Sequence, residues 1–188
     1  MSGTLGDRGR ALENAFFAKR DQQLLEALRS SLESCQSVRD ELAAVSGISD
    51  AALLDQLAEN GVEAATLAAV VLTPLVEVAW VDYVMDKREK AAILDGAIST
   101  GLSESHPCFE LLKSWVEVKP GPELLDNWRK FVGELKSMLN DSSMEKLRHA
   151  IMHRTREVAL AAGGILGMGN RVTAAEQAVL DEIESVLR

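Results

Sequence analysis

Three acidic residues surround one turn between two predicted helices. Asp82 is expected to end the incoming helix, Asp86 to begin the outgoing one, and Glu89 to lie one turn inside it. The three carboxylates can then converge with the carbonyl oxygens of the turn, and Mg²⁺ and Ca²⁺ prefer oxygen ligands. Three acids supply fewer ligands than the roughly six to eight of a strong Ca²⁺ site. The sequence therefore predicts a divalent-cation site of modest affinity, for Ca²⁺ or Mg²⁺, at Asp82, Asp86 and Glu89.

The same residues also fit a purely structural role. Asp86 as the N-cap, with Glu89 three residues later, forms a capping box in which each side chain binds the backbone N–H of the other, for about 1 kcal/mol. Thr173 and Glu176 repeat this spacing without a nearby acid, so capping alone can account for the pattern. Capping alone and capping combined with cation binding both stay open.

A second group with metal-ligand spacing lies on one predicted helix. A pair of histidines four residues apart can hold Zn²⁺, and acids flank such a pair here: Glu145, His149, His153 and Glu157. At roughly 100° per residue, counted from Leu147, these four side chains lie opposite the apolar face of the helix. We therefore predict surface ion pairs on this face and no zinc site.

No local spacing matches a Ser–His–Asp, Cys–His or HExxH arrangement. The glycines from Gly163 to Gly169 follow a predicted helix, whereas a phosphate-binding loop follows a strand. Cys35 and Cys108 are far apart without a histidine at ligand spacing, and we interpret both as core residues. We expect a protein without enzymatic activity.

Charge and apolar content narrow the class of partner. The chain has 188 residues and a net charge of −9, with nine acidic and three basic residues between positions 51 and 107. This acidic region would repel nucleic acid and attract a cation. The apolar stretch Ala64–Val81 is interrupted by Pro74 and Glu77, short of the roughly 20 apolar residues of a membrane span. The first ten residues show no signal-peptide core. We expect a cytoplasmic protein that neither binds nucleic acid nor inserts into a membrane.

The N-terminal third is predicted to form one long helix, from Arg10 to about Val45. Apolar residues recur roughly every 3.5 residues along it: Phe17, Leu24, Leu28, Cys35, Val38, Leu42 and Val45. Such a stripe needs a partner surface, and it either packs back onto the domain or forms the seam of a homodimer. We accordingly divide the chain into an N-terminal helix, 1–46, for packing or dimerisation, and an all-helical domain, 47–188.

The remainder also favours helices. Aromatic residues make up only 4% of the chain, and alanine and leucine, which dominate, favour helices over strands. Further helices are predicted at about 50–59, 63–82 with a kink or restart at Pro74, 86–99, 108–118, 123–139, 143–166 and 173–187. Shifting the chain by 87 residues places 86–89 on 173–176 and Ile93 on Leu180, which implies two pseudo-repeated helix-turn-helix units.

Two segments resemble a known family. The run Pro74–Glu89 leads an apolar helix into Val81-Asp82-Tyr83-Val84-Met85-Asp86-Lys87-Arg88-Glu89, which is similar to the first signature of the tellurite-resistance TerB-like family. The run Gly163–Glu176 resembles the second signature. The resemblance covers about Val62–Arg188. It implies an all-helical fold with pseudo-symmetric halves, an acidic surface proposed to bind metal, and roles in stress or membrane-linked complexes.

The chain departs from these signatures at two places. Tyr83 stands where the family usually has glycine, and Gly169-Asn170 replaces the acid-glycine pair of the second turn. The metal chemistry that the resemblance implies is thus confined to the first turn. We expect a non-enzymatic cytoplasmic binding or stress-related module that uses a divalent cation there. The alternative is a metal-free homo-oligomeric scaffold or adaptor that acts through the N-terminal helix.

Overall fold

The computed structural model describes residues 5–16, 22–33, 35, 37–81, 85, 87–99, 102, 104, 108–163 and 172–188. Within these residues the chain forms ten α-helices and no strand, which confirms the predicted all-α helical bundle. The helices are α1 (Leu5–Phe16), α2 (Gln22–Leu32), α3 (Val38–Ser46), α4 (Ala51–Glu59), α5 (Ala64–Ala79), α6 (Lys87–Ser99), α7 (Phe109–Glu117), α8 (Glu123–Met138), α9 (Asp141–Gly163) and α10 (Ala174–Leu187).

Helix α5 is the centre of the bundle. Of its 16 residues, all but Glu77 and Ala79 are buried. It contacts helices on every side, namely α1, α2, α3, α7, α8, α9 and α10. A helix that is apolar around its whole circumference has no face that favours water, so it takes the core position.

Pro74 lies inside α5, and the helix continues through it without the predicted restart. Because proline has no N–H, the carbonyl oxygen of Val70, four residues earlier, loses its helical donor. Trp128 of α8 supplies a replacement, since its Nε1–H donates to the Val70 oxygen at 3.0 Å in buried surroundings. The side chain of Trp128 is 0% exposed. The bond explains how a proline is accommodated in the core helix.

The prediction of a single helix from Arg10 to Val45 is wrong. The described residues leave the helix after Leu32, and α3 begins anew after Ser37. Ser37 has extended backbone angles, φ −153° and ψ 160°, and its side chain accepts the N–H of Asp40. This is an N-cap, which satisfies a donor that the first turn of a helix leaves free.

The apolar stripe of this segment packs inward. Leu28, Leu42 and Val45 are buried in the common core, with Leu24 and Cys35 packed against it. Val38 is 51% exposed, and Phe17 lies outside the described residues. The described stripe residues other than Val38 thus pack back onto the domain, and the division of the chain at residue 46 stays a prediction. Homodimerisation stays a prediction.

Other helix ends follow their sequence signals. Asp50 caps α4 by accepting the N–H of Leu53 at 2.9 Å. Thr173 and Glu176 form the predicted capping box at the start of α10. These short polar motifs are local, so they act the same way whatever packs around them.

Helix α9, the longest at 23 residues, packs against α5 and most extensively against α6. Helix α10 lies across α9, α5 and α8. The two predicted helix-turn-helix units correspond to α5–α6 and α9–α10. Their pseudo-symmetry stays a prediction.

No single helix among the described residues is both long enough and apolar enough to cross a membrane. Helices α4 and α5 taken together have the length and composition for it, but the pair is bent by 119°.

Candidate functional site

An open groove of about 590 Å³ lies between α2, α3 and the start of α5. Val38 on α3 lines it with a side chain that is 51% exposed. The floor consists of five apolar residues, none more than 7% exposed: Leu28, Leu32, Val62, Ala64 and Ala65. An exposed valine beside a buried apolar floor offers a contact surface to an apolar side chain from outside.

The turn between α4 and α5 forms one edge of this groove. Gly61 has a φ of +72°, a left-handed conformation that glycine adopts without steric cost. Its N–H donates to the oxygen of Ala58 at 2.9 Å, and the N–H of Val62 donates to the oxygen of Leu57 at 3.0 Å. These two bonds are those of a Schellman motif. The motif ends α4 and turns the chain so that Val62 and the first residues of α5 line the groove.

The rim of the groove is acidic. Three glutamates line it: Glu33 directly follows α2, Glu41 lies on α3, and Glu63 directly precedes α5. The one cation in the described lining, Arg29, donates to the carboxylate of Glu13 at 3.0 Å. Burial raises the pKa of Glu13, the charge of Arg29 opposes that rise, and nearby Glu63 adds to it. The rim therefore carries more negative than positive charge, with its arginine already engaged.

The far end of α3 is held by two buried donors. The Cys108 thiol donates to the Val45 oxygen at 3.3 Å, and Arg154 Nη1 donates to the Ser46 oxygen at 2.9 Å. Burial raises the pKa of Cys108 to about 12, so the thiol keeps its proton at neutral pH. Burial also lowers the pKa of the Arg154 guanidinium, which stays charged. At Gly47, φ is +67° and an added Cβ would lie 2.8 Å from Arg154 Nη2.

This anchoring positions one wall of the groove. Helix α3 carries Val38 and Glu41 near its start and the two accepting carbonyl groups at its end. A cation near the C-terminus of a helix interacts favourably with the helix dipole. Arg154 therefore fixes α3 against α9 without a carboxylate partner among the described residues.

The predicted cation site lies largely outside the described residues. Asp82 and Asp86 are not among them, and only the backbone of Glu89 is described, within α6. On the incoming side, Trp80 donates through Nε1 to the Trp115 oxygen at 2.8 Å, and its own oxygen accepts Lys119 Nζ at 3.3 Å. Among the described residues, no three His, Cys, Asp or Glu side chains are placed to share an ion.

The histidine-bearing face of α9 is exposed, as the helical angles predict. His149 and His153 are exposed, and their rings stack with centroids 6.3 Å apart. Glu145 accepts a hydrogen bond from Arg148 Nε at 2.8 Å. The predicted surface ion pair is thus present at Glu145.

Three arginines converge on one carboxylate where α9 meets α10. Glu184 accepts Arg148 at 2.8 Å, Arg156 at 2.5 Å and Arg188 at 2.9 Å. The hydrogen bond from Arg188 lowers the pKa of Glu184, and the charges of all three arginines act in the same direction. Each guanidinium has a carboxylate partner, so this cluster ties the two helices together.

Glu77 is the one charged residue within α5. It lines a small cleft against α8 and α10. Burial raises its pKa, the charges of Lys119 and Arg129 partly offset the rise, and Glu182 adds to it. The carboxylate is thus held where its charge is disfavoured.

Sequence reasoning missed the groove because its walls come from segments that are distant in the chain. One signal was available, since Ser37 followed by Asp40 and Glu41 is the pattern of a helix start. That pattern would have broken the long predicted helix at the place where the groove opens.

Comparison with protein-family models, curated proteins and solved structures found no match for the chain. The resemblance of the segments around Asp82 and Gly163 to the TerB-like signatures therefore stays a prediction from those residues alone.

Proposed function

We propose that the chain is a non-enzymatic binding module that holds a segment of a partner protein in the groove between α2, α3 and α5. The observation that carries this proposal is the exposed Val38 beside a buried apolar floor. Large apolar side chains at a protein surface are ordinary when scattered, whereas an apolar patch with a polar rim marks an interaction site, and here glutamates form the rim.

The size of the groove supports the same function. Its volume of about 590 Å³ equals that of a small-molecule cleft, roughly 300–1,000 Å³, and so leaves room for several apolar side chains of a bound segment. Helices bind such grooves through apolar side chains at i, i+3, i+4 and i+7. The lining combines methyl groups with carboxylates, which suits recognition of a segment that has both apolar and polar side chains.

Three finer features of this function rest on the sequence alone. They are a cytoplasmic location, a stress-related role like that of TerB-like proteins, and a Ca²⁺ or Mg²⁺ ion at the acidic turn formed by Asp82, Asp86 and Glu89. A cation at that turn would act at the junction of α5 and α6.

The alternative is a metal-free homo-oligomeric scaffold that acts through the N-terminal segment, and fewer exposed apolar residues support it. Leu28, Leu42 and Val45 of the predicted seam are buried inside the chain. Val38 is the described stripe residue with most of its side chain surface left for a second copy. A dimer through Val38 is an outcome that the experiment below distinguishes.

The test uses amphipathic peptides of about 15 residues, long enough for a helix. Leucines occupy i, i+3, i+4 and i+7, and the remaining positions carry lysine, glutamate or serine in three separate peptides. We expect at least one peptide to shift the methyl NMR signals of Leu28, Leu32 and Val62. Val38→Asn should weaken that binding by about tenfold or more, because it places an uncharged polar group against an apolar side chain.

The matched control is Val118→Asn. Val118 is also 51% exposed but follows α7, outside the lining of the groove. If no peptide shifts the methyl signals, or if both variants weaken binding equally, the proposed function is wrong. Self-association lost in Val38→Asn alone would favour the scaffold instead.

A further inference from the structure

The charge of the groove rim says more about the class of ligand than its apolar floor does. Glu33, Glu41 and Glu63 come from the end of α2, from α3 and from the residue before α5. None of the three is in an ion pair with a described residue. Exposed carboxylates that lack a partner are free to receive a cation from a ligand.

The groove has no free positive charge to offer an anion among its described residues. Arg29 is engaged by Glu13 at 3.0 Å, and Glu63 lies close enough to influence Glu13 electrostatically. An acidic peptide would therefore meet three carboxylates and one neutralised arginine. The net charge of −9 on the whole chain adds to this repulsion.

The spatial order of these groups suits an amphipathic ligand. The floor residues, Leu28, Leu32 and Val62 among them, are almost wholly buried, whereas Glu33 and Glu63 are exposed. Apolar side chains of a ligand would enter the groove, and its polar flanks would pass the carboxylates. Complementary charges at such a rim raise the association rate and exclude wrong partners.

We infer that the occupant of the groove is a cationic amphipathic segment of a partner protein, with lysines or arginines flanking its apolar anchors. This inference rests on the proposed function and specifies the class of its ligand. The apolar floor binds the apolar anchors of the segment, and the carboxylates of Glu33, Glu41 and Glu63 favour a positively charged ligand.

The experiment compares the same three peptides by fluorescence anisotropy. The leucine–lysine peptide should bind at least about tenfold more tightly than the leucine–glutamate peptide, and the leucine–serine peptide should be intermediate. Added salt should weaken binding of the leucine–lysine peptide most, because salt screens the charges of the rim. A serine–lysine peptide without leucine should bind weakly.

Two triple variants distinguish attraction of the peptide by the groove rim from attraction by the net charge of the whole chain. Replacing the three rim glutamates with glutamine should weaken the leucine–lysine peptide by about tenfold, the combined effect of three exposed ion pairs. The matched control removes the same number of charges elsewhere and should change affinity less than about twofold: Glu110→Gln, Glu157→Gln and Asp181→Asn. Circular dichroism checks that both variants are folded.

The outcomes distinguish a failure of this inference from a failure of the proposed binding function. If the leucine–serine or leucine–glutamate peptide binds the groove as tightly as the leucine–lysine peptide, the binding module stands and the cationic ligand is wrong. If both triple variants weaken binding equally, the attraction is general and the inference is also wrong. If no peptide binds, both proposals are wrong.

Discussion

Replacing Trp128 with phenylalanine should destabilise the chain by about 2–4 kcal/mol. The indole is 0% exposed and donates to the Val70 oxygen at 3.0 Å. Leaving that buried carbonyl group without a donor costs about 1–3 kcal/mol. The smaller phenyl ring leaves roughly 40 Å³ empty, which adds about 1 kcal/mol at about 24 cal/mol per Å³. A domain with about 5–15 kcal/mol of stability should still fold.

A second substitution isolates the hydrogen bond. Pro74→Ala returns a backbone N–H to the position that helical geometry points at the Val70 oxygen. In that background Trp128→Phe should cost about 1–2 kcal/mol less, because the carbonyl group keeps a donor while the cavity remains. The interaction energy of the double-mutant cycle is therefore the quantity to measure.

Urea unfolding followed by far-ultraviolet circular dichroism gives the four free energies of unfolding, without relying on tryptophan fluorescence. The control cycle pairs Pro74→Ala with Trp80→Phe, whose indole donates to Trp115 and not to Val70. That cycle should be additive. If Trp128→Phe costs the same in both backgrounds within about 0.5 kcal/mol, Trp128 does not replace the missing donor and the account of Pro74 is refuted.

Three further perturbations test other features. Because burial raises the pKa of Glu77 above its ordinary 4.5, the folded chain holds that proton more tightly, and stability falls as pH rises from about 4.5 through the folded pKa. Glu77→Gln should therefore be more stable than the parent at pH 7 and equal to it below about pH 4; a loss at pH 7 in urea unfolding would contradict this. Thr173→Ala should cost about 1 kcal/mol by removing a cap, and an unchanged thermal midpoint would argue against the capping box. Excess Ca²⁺ or Mg²⁺ should raise the Tm relative to chelator by mass action, and amide substitutions should abolish the rise; an unchanged Tm would leave only a structural role for Asp82, Asp86 and Glu89.

The sequence predicted features that depend on local chemistry. The helix predicted at 63–82 is present as α5, and the spacing of Thr173 and Glu176 marked the capping box that begins α10. Each signal acts within one turn of the chain or along one helix. Such signals keep their meaning before any tertiary contact is known.

The rest depended on contacts between distant segments. A stripe with a spacing of about 3.5 residues predicts which side of a segment is buried, but it says nothing about continuity, so the break before Ser37 was missed. Val38 kept the stripe and is nevertheless exposed. The replacement donor for Val70 comes from Trp128, far along the chain. The groove joins residues near Val38 to residues near Val62, and no periodicity records that proximity.

Because Gly47 packs against Arg154, the residue types at positions 47 and 154 should not change independently during evolution. Asparagine often substitutes for glycine in a left-handed conformation, but any Cβ at position 47 would meet the guanidinium at 2.8 Å. A lineage that acquires a side chain there must first shorten or redirect the one at position 154. Homologous sequences should therefore show the two sites drifting together, with glycine retained wherever arginine is.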